Sequence, residues 1–591
     1  MNRKIVLSQY FLLSGMVTGL VFLATSCSHN TETTQSVMNK TISRIYETMP
    51  GYEISGLTHE KVLSLFSKDE LNVLGTKHWT FDVNVPVVVS VMRDSRQKTI
   101  PFWLTINGFR KTNLAIKNDQ TMYEVWQKSF RKGKVGLGVN GFDNDGLHYF
   151  ASVGPGEEGE SLILSNFSPA NQFVGTLDNG AFTYHDWDEL VLSEVPEEMI
   201  GQKLLTTVRG RNTESHLVNA FRKTLFPSSS HPDQMVLTWS SDPSTSVNLQ
   251  WRTDTTIKTG MVVFRESGTH RTDSVTAVKV LLEDRMLMND RLVHHFNARM
   301  EGLKPGTMYQ YKINSANWPD LQTFSTAAQD NSFSFLWFGD THHSPKSGEN
   351  LNRAFHAHPD AAFFSIAGDL VSDGLHRNQW DELFEFSKEV ACRIPFMAVP
   401  GNHDNRAGLG ARTFRDLFSF PENGPEGVEK EQTYSFTYKN CLFLMLDATS
   451  PIDAQSAWID QQLAQSGATW KIALFHFPPY NWEEPYLDIQ HAWVPVFDKY
   501  HVDLVFSGHT HYYMRSKPLR DGKVVPSCSE GTVYVISIAI PRRGNLPDEP
   551  YAEVQSTEGQ LYQYVRIDGN TLSFQSVNSE NKPIDFFTIQ K

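Results

Sequence analysis

Apolar residues recur along this chain in two patterns that divide it. Between residues 51 and 225 they alternate with polar ones over short spans, as in "TFDVNVPVVVSVMRD", "KVGLGVNGF" and "LHYFASVG". A period of two predicts strands rather than helices. Short strands continue through "QMVLTWSS", "SVNLQWRTD", "GMVVFRES" and "TMYQYKINS", at the spacing of a β-sandwich, with Trp239 and Trp251 as large core residues. From residue 331 the pattern changes. Five apolar runs ("FSFLWFGD", "AAFFSIAGD", "IPFMAVPGNHD", "WKIALFH" and "VDLVFSGHTH") alternate with helical stretches at 373–391, 454–465 and 488–500. That alternation predicts an α/β domain over 331–591, preceded by all-β units.

Each of the five runs ends at once in a residue type that binds metal. The ends present Asp340, His342, Asp369, Asn402, His403, His476, His509 and His511. Function in open α/β sheets collects at the carboxyl ends of strands. Taken singly, each residue has an ordinary structural reading: an aspartate caps a helix, an asparagine makes a turn, a histidine sits hydrogen-bonded in a core. Five such ends in order would require that coincidence five times. Continued as a strand, His509 and His511 would face one target, because residues i and i+2 share a side.

Composition narrows the rest. A chain of 591 residues exceeds what one core supports, and 40% hydrophobic residues suffice to build several. The net charge of −13 comes without a basic block, which argues against nucleic acid or anionic lipid as the main partner. After Cys27, only Cys392, Cys441 and Cys528 remain. Their odd number, and the apolar surroundings of the first two, predict buried thiols rather than a disulfide framework. "FPSSSHPDQ" at 226–234 has the composition of a linker. Two local motifs are turn chemistry. "GLGVNG" at 136–141 leads into a strand instead of a helix, and "DNDG" at 143–146 lacks the distal acidic ligand of a calcium loop.

At the N-terminus, Arg3 and Lys4 precede an apolar stretch that closes on "LATSC" at Cys27. This resembles a bacterial lipoprotein signal, which implies an exported protein, lipid-anchored to a membrane of the cell envelope through Cys27. Residues 28–50, polar and rich in Thr and Ser, are expected to be a tether. No other apolar stretch is long enough to span a membrane.

"LKPGTMYQY", with Pro305, Gly306, Tyr309 and Tyr311, resembles the strand corner of a fibronectin type III-like domain of the kind that precedes purple acid phosphatase catalytic domains, here over 233–327. "GDTH", "GDL", "GNHD", the lone His476 and "GHTH" match in order the motifs of the calcineurin-like metallophosphoesterases. Together these resemble a purple acid phosphatase-related protein. The resemblance implies a metallophosphoesterase sandwich of two sheets flanked by helices, and two metal ions. One ion would take Asp340, His342 and His511, the other Asn402, His476 and His509, with Asp369 between them. Mixed oxygen and imidazole donors suit Fe, Mn or Zn better than Ca. The expected nucleophile is a bridging hydroxide, and His403, oriented by Asp404, is expected to protonate the leaving oxygen. The chain departs from purple acid phosphatases in three places. His342 replaces their glycine, Ser372 stands where they carry a tyrosine ligand, and "ISIAIPRRGN", with Arg542 and Arg543, replaces a glycine-rich segment.

Three functions remain open on the sequence. The first is hydrolysis of phosphomonoesters; the second is hydrolysis of nucleotide, lipid or cell-wall phosphodiesters. The third is a surface-binding lipoprotein with a vestigial phosphatase domain, which the full ligand set opposes.

Overall fold

The computed structural model describes residues 32–591 apart from 171, 314–320, 407, 484–485 and 539–545. Cys27 with its preceding segment, and Arg542 and Arg543, lie outside the described residues. Among the described residues, no helix is long and apolar enough to cross a membrane.

The stretch expected to be a tether is instead folded in its larger part. Thr34–Thr48 is a helix whose N-cap Thr33 exchanges reciprocal hydrogen bonds with Ser36. Within its polar composition Val37, Met38, Ile42 and Ile45 form an apolar stripe, buried with Leu74 and Leu217. Composition averaged this stripe away, whereas helical spacing gathers it on one face. The helix also reaches the middle domain, since Tyr46 donates a 2.6 Å hydrogen bond to the carbonyl of Arg285. The β-rich unit likewise begins with helices, the longest Lys68–Thr76, capped by Ser67 and Glu70. Then come an eight-stranded and a three-stranded antiparallel sheet. Trp79, Trp103 and a row of valines (Val87, Val89, Val91) pack between them.

Two four-stranded antiparallel sheets follow, and Trp251 stacks on Phe296 in their shared core at 5.2 Å. At the corner the Tyr309 hydroxyl accepts the backbone N–H of Lys304 at 2.9 Å. This sandwich is fused to the C-terminal domain. Trp239 packs on Phe363 and Tyr438, and Tyr311 donates to the carbonyl of Cys392 at 2.6 Å. Arg252 is buried between Asp233 at 2.6 Å and Asp381 at 2.7 Å. A guanidinium so placed must be paired, because leaving one ion of such a pair alone costs about 3–5 kcal/mol.

The C-terminal domain is a pair of mixed sheets, of six and seven strands, flanked by helices, as expected. Five strands carry the motifs: β1 Ser332–Phe338, β2 Ala361–Ala367, β3 Phe396–Val399, β4 Trp470–Leu474 and β5 Leu504–Ser507. Strands β1, β2 and β3 are parallel neighbours in one sheet, as β4 and β5 are in the other. Phe335, Phe363, Phe443 and Phe506 interlock between the sheets. All five strand ends therefore open on one rim. The helix expected at 488–500 is broken into Leu487–Ala492 and Val494–Tyr500. Pro495 explains the break, lacking an N–H and crowding the carbonyl four residues back. Cys392, Cys441 and Cys528 are all free thiols, the first two buried.

Candidate metal centre

The motif glycines are required by packing. A Cβ at Gly508 would sit 2.1 Å from Asp340 Oδ1, and one at Gly401 would sit 2.2 Å from Asp369 Oδ1. Each glycine lets the carboxylate of another strand end pass through the place of its side chain. The chain then turns sharply. His342, Asp369, His509 and His511 all adopt left-handed backbone conformations, with φ of 44°, 53°, 72° and 53°. Non-glycine residues seldom do so, and a cluster of them marks a site where local strain is held by its surroundings. His509 and His511 thus lie in a turn beyond β5, not on an extended strand, and they serve different groups of donors.

Those groups are compact. The ligand atoms of Asp340, His342 and His511 lie within 4.8 Å of one another, and so do those of Asp369, His476 and His509. Asp369 belongs also with His342 and His403, so it stands between the two clusters. Asn402 Oδ1 is 3.1 Å from His476 Nε2, which completes the second set. All seven residues expected as ligands therefore meet at one place.

The donors are aimed inward. His476 Nδ1 pairs with the carbonyl of Ala367 at 2.8 Å, as a donor, which leaves Nε2 facing Asp369 Oδ2 at 3.2 Å. Fixing one ring nitrogen in this way sets the other as a metal ligand. Asp340 Oδ2 and His342 Nε2 are buried without a hydrogen-bond partner, although His511 Nε2 is 3.1 Å from that carboxylate oxygen. Buried polar atoms are rarely left so, and these two point at a shared space. Hard carboxylate and amide oxygens mixed with imidazoles, His342 Nε2 buried without a partner among them, fit a pair of divalent or trivalent cations.

Electrostatics agree. Burial pushes the carboxyl of Asp369 up, but His476, His403 and His342 outweigh it and hold the group well below the usual carboxylate range. For His476, burial opposes the imidazolium and Asp369 reverses the balance, raising it to about 9. The two buried carboxylates thus draw positive charge into the centre.

The His403 side chain is 44% exposed, against 40% for His511 and none for His476, and its Nε2 stands 4.0 Å from Asp369. The expectation that Asp404 orients it is not met. His403 Nδ1 pairs with the carbonyl of Ser372 at 2.8 Å. The Asp404 carboxylate turns the opposite way and accepts the backbone N–H groups of Leu370, Val371 and Gly401 at 3.2, 3.1 and 2.9 Å. Asp404 is therefore the clamp that joins the loop after β2 to the turn after β3. Burial and the charge of Asp369 push its carboxyl up to about 7.

Ser372 has the role that residue adjacency had assigned to Asp404. Besides its carbonyl on His403, its hydroxyl lies 3.3 Å from His342 Nδ1. It thus positions two histidines at once. The Tyr434 phenol, near in sequence to the motifs, is committed elsewhere, donating to the carbonyl of Ala398 at 2.8 Å.

Residues 333–513 match the calcineurin-like phosphoesterase family, and residues 232–326 match the purple acid phosphatase N-terminal domain. Over these two stretches the chain is thus similar to calcineurin-like phosphoesterases that carry a purple acid phosphatase N-terminal domain. Similar proteins include an uncharacterized protein of Mycobacterium tuberculosis, 26% identical over 48% of this chain and 62% of its own length. Purple acid phosphatase 15 of Arabidopsis thaliana is 24% identical over 42% of this chain and 53% of its own. The match thus spans less than two thirds of either relative. Among solved structures, purple acid phosphatase PPD1 from yellow lupin (Lupinus luteus) seeds shares the fold, with a TM-score of 0.53, 14% identity and coverage of 87% of this chain and 93% of that one.

Proposed function

We propose that this protein is a dinuclear-metal phosphatase that hydrolyses phosphomonoesters, with Fe, Mn or Zn as the metal. The observation that supports this most is the convergence of seven donor side chains from five strand ends, with Asp369 common to both clusters. Asp340, His342 and His511 would hold one ion and Asn402, His476 and His509 the other, Asp369 contributing to both. Such ions, when bound, activate water as a nucleophile and offset the charge of the phosphoryl group.

The chain's own residues account for the rest. Asp369 accepts the backbone N–H of His403 through Oδ1 at 2.9 Å, so the ligand turn and the acid are held in register. His403, with Nδ1–H given to Ser372, presents Nε2 toward the cavity and can deliver a proton to the leaving oxygen from there. Monoesters are favoured over diesters by relatives named as phosphatases, among them phosphoenolpyruvate phosphatase of Allium cepa. The purified chain loaded in turn with Fe, Mn and Zn should turn over p-nitrophenyl phosphate at least about tenfold better than bis(p-nitrophenyl) phosphate, a difference of about 1.4 kcal/mol in barrier. The reverse preference would make it a phosphodiesterase, and no turnover with two metals bound would support the vestigial reading.

We further propose that the protein is exported and lipid-anchored through Cys27, on the strength of the small-residue box before that cysteine. Expressed in a bacterial host, the wild type should partition into detergent and Cys27→Ser into the aqueous phase. Aqueous partitioning of both would refute the anchor.

A further inference from the structure

We propose that the N-terminal unit forms the leaving-group wall of this centre, and that the wall selects phosphate esters whose leaving group carries a second phosphate. The inference rests on the phosphatase reading and names its substrate class. A cavity of about 520 Å³ opens in front of His403 and Asn402. Its far side is built by the N-terminal unit, through Arg96, Asn144 and Arg209, while Arg406 closes it from the catalytic side.

The guanidinium groups are held in place. Arg96 gives Nε and Nη2 to the buried carboxylate of Asp94, at 3.1 and 2.7 Å. Arg209 gives Nε to the Asp186 carboxylate at 2.7 Å and Nη2 to the Asp186 carbonyl at 3.2 Å, and Arg406 Nε is 2.9 Å from Asp373. In each case a carboxylate fixes the Nε edge of a rigid planar fork, so the orientation of the guanidinium plane is set before any ligand arrives. Forks of this kind suit phosphate, which they engage by paired charge-assisted hydrogen bonds.

The turn at 143–146, the "DNDG" set aside as a calcium loop, belongs to this wall. Asn212 Nδ2 donates to Asn144 Oδ1 at 3.1 Å and to the carbonyl of Gly146 at 2.8 Å. Asp145, the one carboxylate of the wall among the described residues, lies 3.4 Å from Lys98. The wall is also packed against the catalytic loop. A Cβ at Gly408 would meet Val208 Cβ at 2.7 Å and Asp186 Cβ at 3.0 Å, beside Arg209. Among the described residues, a leaving group therefore meets guanidinium and amide groups beside the Asp145 carboxylate, with Leu147 the only large apolar side chain of the lining. That environment stabilises an anionic leaving group and gives little to an alkyl or aryl one.

The test uses the metal-loaded full chain and two substrates with the same alkoxide, n-propyl phosphate and propane-1,3-diol bisphosphate. The wild type should prefer the bisphosphate by about tenfold or more in kcat/KM, mainly through KM, as expected for a charge-assisted contact. Arg96→Gln and Arg209→Gln should each cut that preference severalfold, and Arg96→Lys should restore part of it. Calorimetric binding of propane-1,3-bisphosphonate against propylphosphonate should show the same preference and the same losses. A wild type that treats both substrates and both phosphonates alike overturns the wall assignment and leaves the phosphatase reading standing. Arginine-dependent bisphosphonate binding without turnover of either ester would do the opposite. A preference that survives both glutamine variants would also overturn the assignment.

Discussion

Asp369→Asn should carry fewer than two metal ions per chain, with both sites depleted, and should lose about 10³-fold or more in kcat. Asp369 belongs to the His476–His509 cluster and also neighbours His342, 3.8 Å away. Neutralising it removes the charge that offsets repulsion between two adjacent cations, so neither site can be spared. Metal ions supply several kcal/mol of transition-state stabilisation, and each 1.36 kcal/mol is a factor of ten. The fold should survive, because an amide oxygen can still accept the His403 N–H that Asp369 Oδ1 now accepts. Metal content by mass spectrometry and a thermal melt of the metal-free chain separate the two effects. A variant that loses one ion and keeps the other would contradict the bridging role.

The centre was legible in the sequence because its residues sit at strand ends, where local pattern and function coincide. A run such as "AAFFSIAGD" announces a buried strand, its end and the acid beyond it within nine residues. The helices were legible for the same reason, with 373–391 realised as Arg377–Ala391 and 454–465 as Ile452–Gln465. What failed was inference from adjacency. Asp404 follows His403 in the chain, yet the turn after β3 sends its carboxylate back to the amides of residues 370, 371 and 401. His509 and His511 are two apart, but left-handed backbone sends them to separate clusters.

Contacts over long separations had no sequence signal at all. Arg96, Asn144 and Arg209 reach the cavity of His403 from about two to three hundred residues away, and no periodicity marks a residue for that. The helix at Thr34–Thr48 was hidden differently. Four apolar residues spread through a Thr/Ser-rich stretch vanish in an average, and only their helical spacing, with Leu74 and Leu217 to receive them, gives them a place.

His403→Asn should lower turnover of alkyl phosphates by about 10²–10⁴-fold, the usual range for general acid catalysis, and turnover of p-nitrophenyl phosphate far less. The difference arises from the leaving group. An alkoxide must be protonated as it departs, whereas nitrophenolate leaves as an anion. Asparagine keeps a polar side chain and leaves the seven donor residues untouched, so two metal ions should still bind. The geometry makes this a clean comparison, since the His403 ring is half-exposed and is held through Nδ1 by the Ser372 carbonyl rather than by any of the donor side chains. Equal losses on both substrates, with metals retained, would assign His403 to stabilising phosphoryl charge instead. The partial replacement Asp404→Asn sharpens the reading. Because Asp404 clamps backbone and does not touch His403, its loss should lower the melting temperature and depress both substrates alike, without the leaving-group dependence. A selective loss on alkyl phosphates in that variant would restore Asp404 as the partner of the acid.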